Sequence, residues 1–182
     1  DTKYSVVTDP EASNTLVRFM IKHDIRESGT VRAQREQIVR VMYNRMLNQR
    51  LEELTRQPDP PFIYAASSSS EVVRTKAIYK LAAVVPDGEV LRGLEALMTE
   101  AERVRRYGFT EGELNRVRDE MLSFYERAYE ERDKTESYSF ADEYVRNFLK
   151  NEVIPGIEYE YELYKRYAPD ITLQDINGLP DI

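Results

Sequence analysis

Residues 105–114, RRYGFTEGEL, place one glycine between two charged helical stretches, and this corner decides how the rest of the chain folds. The glycine is typical of a residue that ends a helix, because it tolerates backbone angles that other residues avoid. Thr110 and Glu113 have the spacing of a capping box, in which each side chain accepts a hydrogen bond from the other residue's backbone N–H. Phe109 and Leu114 occupy the positions of a hydrophobic staple. The stretch therefore predicts two helices that meet at a fixed angle.

Helical periodicity continues from the corner in both directions, because apolar residues recur at three- and four-residue steps. The helical stretches are residues 91–104, 114–128, 140–148 and 157–164. Near the end, Thr172 and Asp175 repeat the capping-box spacing, with Ile171 and Ile176 at the staple positions. A further helix is predicted to start there, and the sequence is expected to end before that helix is completed.

Alternating apolar and polar residues predict strands in the first half of the chain. One face of the first strand carries Val17, Phe19 and Ile21, and the other carries Arg18, Met20 and Lys22. A long helix capped by Thr30 follows and is expected to end before Pro58. Residues 62–66 and 76–85 predict two more strands, and the polar stretch between them, with Ser67–Ser70, is predicted to form the hairpin turn.

The order of these elements predicts a two-layer α+β fold, in which a small sheet of about three strands is covered on one face by several helices. Residues 1–182 contain no repeat and no internal linker, so we expect a single domain. Because the sequence starts with Asp1 and not Met, we also expect it to be an excised fragment of a larger protein. A sheet that lacks a strand exposes an edge, and such an edge permits self-association or can be covered by the chain's own termini.

The composition excludes several function classes. Apolar residues make up 41% of the chain, enough for a core, and the net charge is −7. Because no stretch concentrates basic residues on one face, we expect neither a nucleic-acid partner nor an anionic-membrane surface. No apolar run is long enough for a membrane span. The absence of cysteine excludes disulfides and thiolate chemistry in this chain.

Three groups of side chains could carry chemistry, and each has a simpler interpretation. His23 beside Asp24 is the only histidine, and a catalytic zinc needs three protein ligands, so we interpret it as a solvated or strand-capping residue. The serines have no Gly-x-Ser-x-Gly elbow around them. A tyrosine-rich stretch could form an aromatic binding face, but such rings more often pack while their hydroxyls reach water; its members are Tyr159, Tyr161, Tyr164 and Tyr167. We therefore predict no catalytic, cofactor-binding or metal-binding residue.

Five stretches carry a family resemblance: residues 6–22 (VVTDPEASNTLVRFMIK), 43–54 (YNRMLNQRLEEL), 60–70 (PPFIYAASSSS), 77–88 (AIYKLAAVVPDG) and 107–122 (YGFTEGELNRVRDEML). In this order they resemble a non-catalytic domain of bacterial zinc metallopeptidases of the pitrilysin/insulinase family, whose fold is shared with mitochondrial processing peptidase. The similarity runs from about Thr8 to Asn177. The helix with NRMLNQRLEEL and the YGFTEGEL corner are its most specific parts.

The resemblance implies a function without an active site in this chain. That family repeats one α+β unit, and only the first unit carries the zinc motif His-x-x-Glu-His, which a chain with one histidine cannot contain. The chain resembles the following unit, which helps to enclose an unfolded peptide in a chamber. A neighbouring catalytic domain of the same protein is its implied partner and holds the zinc. We expect this chain alone to be inactive, and the bacterial periplasm or cell envelope to be its compartment.

Residues between Lys76 and Tyr107 differ from the family in one respect. The other half of such proteins carries an Arg and a Tyr near the third strand of a unit, and these residues grip the substrate. Here no Arg lies between Lys76 and Val85, and no Tyr between Pro86 and Tyr107. This difference favours the unit beside the catalytic one, and no substrate-binding residue is assigned.

Two alternatives remain at this point. The fold also serves as a non-peptidase scaffold subunit in respiratory and processing complexes, and the tyrosine-rich stretch could belong to an independent helical interaction module. The sequence upstream of Asp1 would distinguish them. An intact His-x-x-Glu-His motif there supports the peptidase, a degenerate motif supports the scaffold, and a stand-alone gene supports the module.

Overall fold

The computed structural model describes residues 1–26, 28–150 and 153–179, and within them the α+β prediction is confirmed. The elements are β1 (Thr15–Asp24), α1 (Val31–Thr55), β2 (Tyr64–Val73), β3 (Lys76–Val85), α2 (Val90–Tyr107), α3 (Glu111–Glu130), α4 (Ser137–Lys150), α5 (Gly156–Tyr167) and α6 (Leu173–Asn177). None of these helices is both long and apolar enough to cross a bilayer.

The sheet is antiparallel, with β3 between β1 and β2. In its register Val17 and Ala65 both lie opposite Ala83, so these three residues share a face. The β3 residues on this inner face are all buried: Ala77, Tyr79, Leu81, Ala83 and Val85. The predicted alternation of β1 is confirmed, since Val17, Phe19 and Ile21 pack against the core. All side chains on the opposite face of β1 are exposed.

The serine run is not the hairpin turn, so that prediction was wrong. Ser67–Ser70 lie within β2, and the turn is formed by Arg74 and Thr75. Ser67 points to the core and is only 2% exposed. A buried serine is tolerated in a strand when its hydroxyl is hydrogen-bonded, and the partners of this one come from other elements, which local spacing cannot reveal.

Helix α1 forms the centre of the helical layer. Thr30 caps it as predicted, because the Oγ1 atom accepts a hydrogen bond from Ala33 N at 3.1 Å. The helix ends at Thr55, before Pro58. Its fully buried residues pack between the sheet and the other helices: Ile38, Met42, Met46, Leu47 and Leu51.

Helix α2 buries one side of the predicted helical stretch 91–104. Leu97 and Val104 of that stretch are buried, whereas Leu91 at its start is 80% exposed and Met98 is also exposed. Gly93 and Glu100 are buried on the same inward face as Leu97 and Val104. A Cβ atom at Gly93 would lie 2.3 Å from Val85 Cγ1, so the glycine permits close approach of α2 to β3. This close approach holds the inward face of α2 against the sheet.

The corner between α2 and α3 is confirmed in its details. Glu113 N donates to Thr110 Oγ1 at 3.4 Å, and Thr110 N donates to Glu113 Oε2 at 2.7 Å, which completes the capping box. Gly108 has φ +68° and ψ −165°, a conformation almost exclusive to glycine. Phe109 and Leu114, at the staple positions, are both buried.

Arg50 of α1 forms hydrogen bonds with residues of this corner and of both helices that meet there. Its Nε donates to Glu113 Oε1 at 2.5 Å, and its Nη2 donates to Gly108 O at 3.0 Å. Its Nη1 donates to Glu100 Oε1 at 3.3 Å, and the guanidinium lies 4.7 Å from the centroid of the Phe109 ring. One side chain therefore connects α1, α2, the corner and α3.

The charge of Glu113 depends on the same contacts. Burial tends to raise the pKa of this carboxyl group, but hydrogen bonds from Arg50 and from Thr110 outweigh burial and lower the pKa to about 2. The carboxylate is therefore ionised at neutral pH, where it accepts hydrogen bonds from Thr110 in the capping box and from the charged Arg50 of α1.

Helix α6 closes the helical layer. Its predicted capping box, Thr172 with Asp175, is confirmed. The helix has five residues and ends at Asn177 with Gly178 as its C-cap, so the expectation of an incomplete helix was wrong. Arg35 donates to both carboxylate oxygens of Asp175, at 3.1 and 3.0 Å, and Phe109 N donates to Asn177 Oδ1 at 2.9 Å.

The described termini do not cover a sheet edge. Residues 1–14 are exposed throughout, and α6 packs against α1. Self-association through an edge stays a prediction.

The left-handed corner glycine can be tested by Gly108→Ala. The new Cβ would lie 2.5 Å from Asn177 Nδ2 on a backbone with positive φ, so we expect a loss of about 1–3 kcal/mol in the free energy of unfolding. The matched control is Gly112→Ala, where the nearest atom is 3.9 Å away and alanine is the better helix former. Urea denaturation measures both, and equal midpoints for the two variants would contradict the assigned corner.

Candidate functional site

His23 lies on the inner face of β1, near the end of that strand, and is half-buried. Its Nδ1 donates to the backbone oxygen of Asp24 at 2.8 Å, consistent with a strand-end role. The Nε2 atom is buried and has no hydrogen-bond partner among the described residues. No cluster of three or more His, Cys, Asp or Glu side chains suited to a metal ion occurs in residues 1–26, 28–150 and 153–179. The sequence-based prediction that this chain binds no zinc stays a prediction.

Ser67 belongs to a buried polar cluster that joins β2 to α1. Its hydroxyl donates to Asn44 Oδ1 at 2.5 Å and lies 2.8 Å from the Tyr79 hydroxyl. Asn48 uses both ends of its amide, because its Nδ2 donates to Ser67 O at 3.1 Å and its Oδ1 accepts from Ser67 N at 2.6 Å. With its hydroxyl hydrogen committed to an acceptor and no histidine at hydrogen-bond distance, Ser67 is a structural residue.

The tyrosines of α5 pack as the sequence suggested. Tyr164 stacks on Tyr125 of α3 with ring centroids 3.7 Å apart, and Tyr161 stacks on Tyr129 at 5.1 Å. Burial raises the pKa of Tyr164 and of Tyr125. These rings hold α5 on α3, so the stretch contributes mainly to packing.

A cavity of about 480 Å³ opens between the start of α1, the end of β2 and α5. Arg26 and Arg40 line one part of it, and burial together with Arg26 lowers the pKa of Arg40. Glu71 and Glu160 also line the cavity, as does Tyr159. Because the lining carries both signs of charge, it indicates no single class of ligand.

The larger exposed feature is the face of the sheet opposite the helices, which we call the bare sheet face. It consists of Leu16, Arg18, Met20, Lys22, Asp24, Tyr64, Ala66, Ser68, Ser70, Lys76, Ile78, Lys80, Ala82 and Val84. Leu16, Val84 and Tyr64 form an apolar row across the three strands. Leu16 is 43% exposed, Met20 55% and Tyr64 62%. Large apolar side chains in such numbers on one exposed surface are typical of a contact surface.

Basic residues are concentrated on the bare sheet face, so the expectation that no face concentrates them was wrong. Of its four basic side chains, Lys76 is ion-paired, with Asp24 on the neighbouring strand. Arg18, Lys22 and Lys80 have no ion pair with any residue in the described part of the chain. Their alternate positions in β1 and β3 were visible in the sequence, but only the register of the two strands brings them together.

The helical layer is different, because many of its charges are paired with one another. Arg105 and Arg106 both bind Glu102, and Arg56 binds Glu52. These pairs lie on solvent-exposed sides of α2 and α1. The unpaired basic side chains of the bare sheet face therefore differ from these charged side chains of the helical layer.

The comparison with known proteins identifies relatives that are much longer than this chain. No protein-family model matches it. The protein named Zinc protease PQQL-like from Arabidopsis thaliana is 33% identical over 177 residues, an alignment that covers 97% of this chain and 16% of that protein. The chain thus spans only about a sixth of this relative.

Two solved structures share the fold. The first half of the periplasmic protease PqqL from Escherichia coli has a TM-score of 0.82 and 19% identity, over 91% of this chain and 35% of that one. A predicted insulinase family protease from Yersinia pestis has a TM-score of 0.80 and 11% identity, over 92% and 36% of the two chains. Both support the fold class predicted from the sequence.

The amide of Asn48 can be tested by Asn48→Leu. The change leaves the backbone N–H and C=O of Ser67 without their side-chain partners, so we expect a loss of about 2 kcal/mol in the free energy of unfolding. Glu53→Leu, at an exposed position of the same helix, is the control and should stay within about 0.5 kcal/mol. Similar losses in thermal denaturation for the two variants would show that the Asn48 contacts are not needed.

Proposed function

Because this chain corresponds to one part of a zinc protease of the pitrilysin/insulinase family, we infer that it is a non-catalytic, chamber-forming domain of such a protease. In this function the bare sheet face lines the space in which an unfolded peptide is held. The helical layer forms the outer wall and contacts neighbouring domains. Hydrolysis and zinc binding belong to another domain of the same protein.

The observation that carries this proposal is the one-sided cover of the sheet. Antiparallel sheets commonly leave one face to water, and the water-facing side chains are then polar. Here Leu16, Met20 and Tyr64 are exposed on that side. An exposed face that combines apolar side chains with charges is typical of a surface that binds polypeptide. The inner wall of a chamber that holds an unfolded substrate is such a surface.

The chemistry of the side chains supports a non-catalytic role. A catalytic zinc site uses three protein ligands, commonly histidines with a carboxylate. The whole sequence contains one histidine and no cysteine, and the described residues offer no cluster of metal-ligating side chains. The proposal therefore assigns catalysis to a neighbouring domain.

Helix α4 supports contact with such a neighbour. Its apolar side chains are exposed over one side of the helix: Tyr138, Phe140, Tyr144, Val145, Phe148 and Leu149. Residues 140, 144 and 148 recur at four-residue steps, the spacing of an amphipathic helix that packs against a partner. The relatives extend far beyond the region matched here, so they contain chain that can provide this partner.

Cysteine labelling of the full-length protease tests the chamber-wall assignment. Because this domain contains no cysteine, Met20→Cys on the bare sheet face and Arg116→Cys on the exposed side of α3 each introduce one reporter into the domain, and its labelling is measured relative to the unmodified full-length protease. We expect the cysteine at position 20 to react with a small maleimide, to react slowly with a polymer-tagged maleimide, and to be protected by an unfolded peptide substrate.

The cysteine at position 116 is the matched control, and peptide should not protect it. If the two cysteines react equally with the polymer-tagged reagent, and peptide protects neither, the bare sheet face does not line an enclosed space. Failure of position 20 to react with the small reagent would mean that another domain covers this face, which also contradicts the proposal.

A further inference from the structure

The bare sheet face is positively charged, although the chain as a whole is negatively charged. The chain as a whole carries −7, whereas this face has four basic side chains and one acidic one. Asp24 is already paired with Lys76. The remaining positive charges therefore form a basic surface on an acidic protein, and electrostatic fields of this kind attract ligands of opposite charge.

The three unpaired basic residues follow one another across two strands. Arg18 lies opposite Ala82, Lys80 opposite Met20, and Lys22 opposite Ile78. These pairs are successive on the same face, so positive charge alternates between β1 and β3 while an apolar side chain faces each charge. Neighbouring pairs lie about 7 Å apart along the strands, and the strands are about 4.8 Å apart.

This arrangement opposes the stability of the isolated sheet. Like charges that approach one another across strands are destabilising, and opposite-charge pairs are stabilising. The helical layer of this chain uses such pairs at Arg105, Arg106 and Glu102. The three charges of the sheet have no such pairing within residues 1–26, 28–150 and 153–179, so a ligand that brings carboxylates would relieve their repulsion.

We propose that the bare sheet face binds acidic segments of extended polypeptides, and that this gives the chamber wall a preference for acidic unfolded peptides. The inference rests on the proposed function and names the substrate class for it. An extended chain also places alternate side chains about 7 Å apart on one side. Carboxylates on that side can therefore reach Arg18, Lys80 and Lys22, while the intervening side chains of the peptide point away from the sheet.

Charge complementarity favours this occupant over the others. A second copy of the chain, paired face to face, would bring its own basic face against this one, and like charges would repel. Nucleic acid would meet the basic face but also the net charge of −7 on the whole chain. An extended acidic peptide is small enough to lie within the basic face and avoid the acidic remainder.

Binding of labelled peptides to the 182-residue chain tests the proposal. One fluorescein-labelled peptide alternates glutamate with apolar residues, and the other replaces each glutamate by glutamine. We expect the acidic peptide to bind about tenfold more tightly, as two or three exposed charge pairs would give. Fluorescence anisotropy should show this preference disappearing as salt is raised.

Two double variants locate the binding surface. Arg18→Gln with Lys80→Gln should abolish the preference, whereas Arg116→Gln with Arg127→Gln, which removes the same charge from exposed positions of α3, should preserve it. Circular dichroism confirms that each variant is folded. Where the first pair unfolds the chain, Lys22→Gln alone should still reduce the preference.

Three results would overturn the inference. They are equal affinity for the two peptides, equal loss of preference in the two double variants, and a dimer that the sheet variants dissociate. The proposed function fails separately, because cysteine labelling of the full-length protease can place the face inside or outside a chamber whatever its preference for charge.

Discussion

The Arg50 guanidinium is the contact on which the helical layer depends. From the C-terminal part of α1 it reaches the carboxylates of Glu113 and Glu100, the carbonyl oxygen of Gly108 and the ring of Phe109. Glu100 is only 3% exposed, so it requires a charged partner, and Arg103 supplies a second one at 2.9 Å. Arginine suits this position because its planar fork offers several donors in fixed directions. The corner holds its angle because the same side chain binds both of its helices.

The remaining contacts extend from this corner. Asn177 accepts a hydrogen bond from Phe109 N, and Arg35 holds Asp175, so α6 is fixed to the same region. The amide of Asn48 joins α1 to the centre of β2. The helices therefore satisfy many of their polar groups among themselves and with the inner face of the sheet. The opposite face keeps apolar and unpaired basic side chains, and this division is the physical basis for assigning function to the sheet.

The sequence predicts those features whose cause is local. The capping box at Thr110 and the alternation of β1 depend on residues a few positions apart, and both were found. The burial of Ser67 and the role of Arg50 depend on partners that lie between 12 and 63 residues away. The basic residues of the bare sheet face could be predicted only in part. Their alternation along each strand was visible in the sequence, but their alignment across the sheet required the β1–β3 register. Gly93 gave no local sign that α2 would approach β3 so closely.

The free energy of unfolding of Arg50→Lys tests most directly whether one guanidinium organises the helical layer. Lysine keeps the positive charge but cannot bind two carboxylates, a carbonyl oxygen and an aromatic ring in the same geometry. We predict a loss of about 2 kcal/mol or more by urea denaturation, because Glu100 would lose a fixed donor in a buried site. Arg56→Lys, at an exposed ion pair of the same helix, should change little. If Arg50→Lys stays within about 0.5 kcal/mol of the unmodified chain, the corner is held by other contacts and the account is wrong.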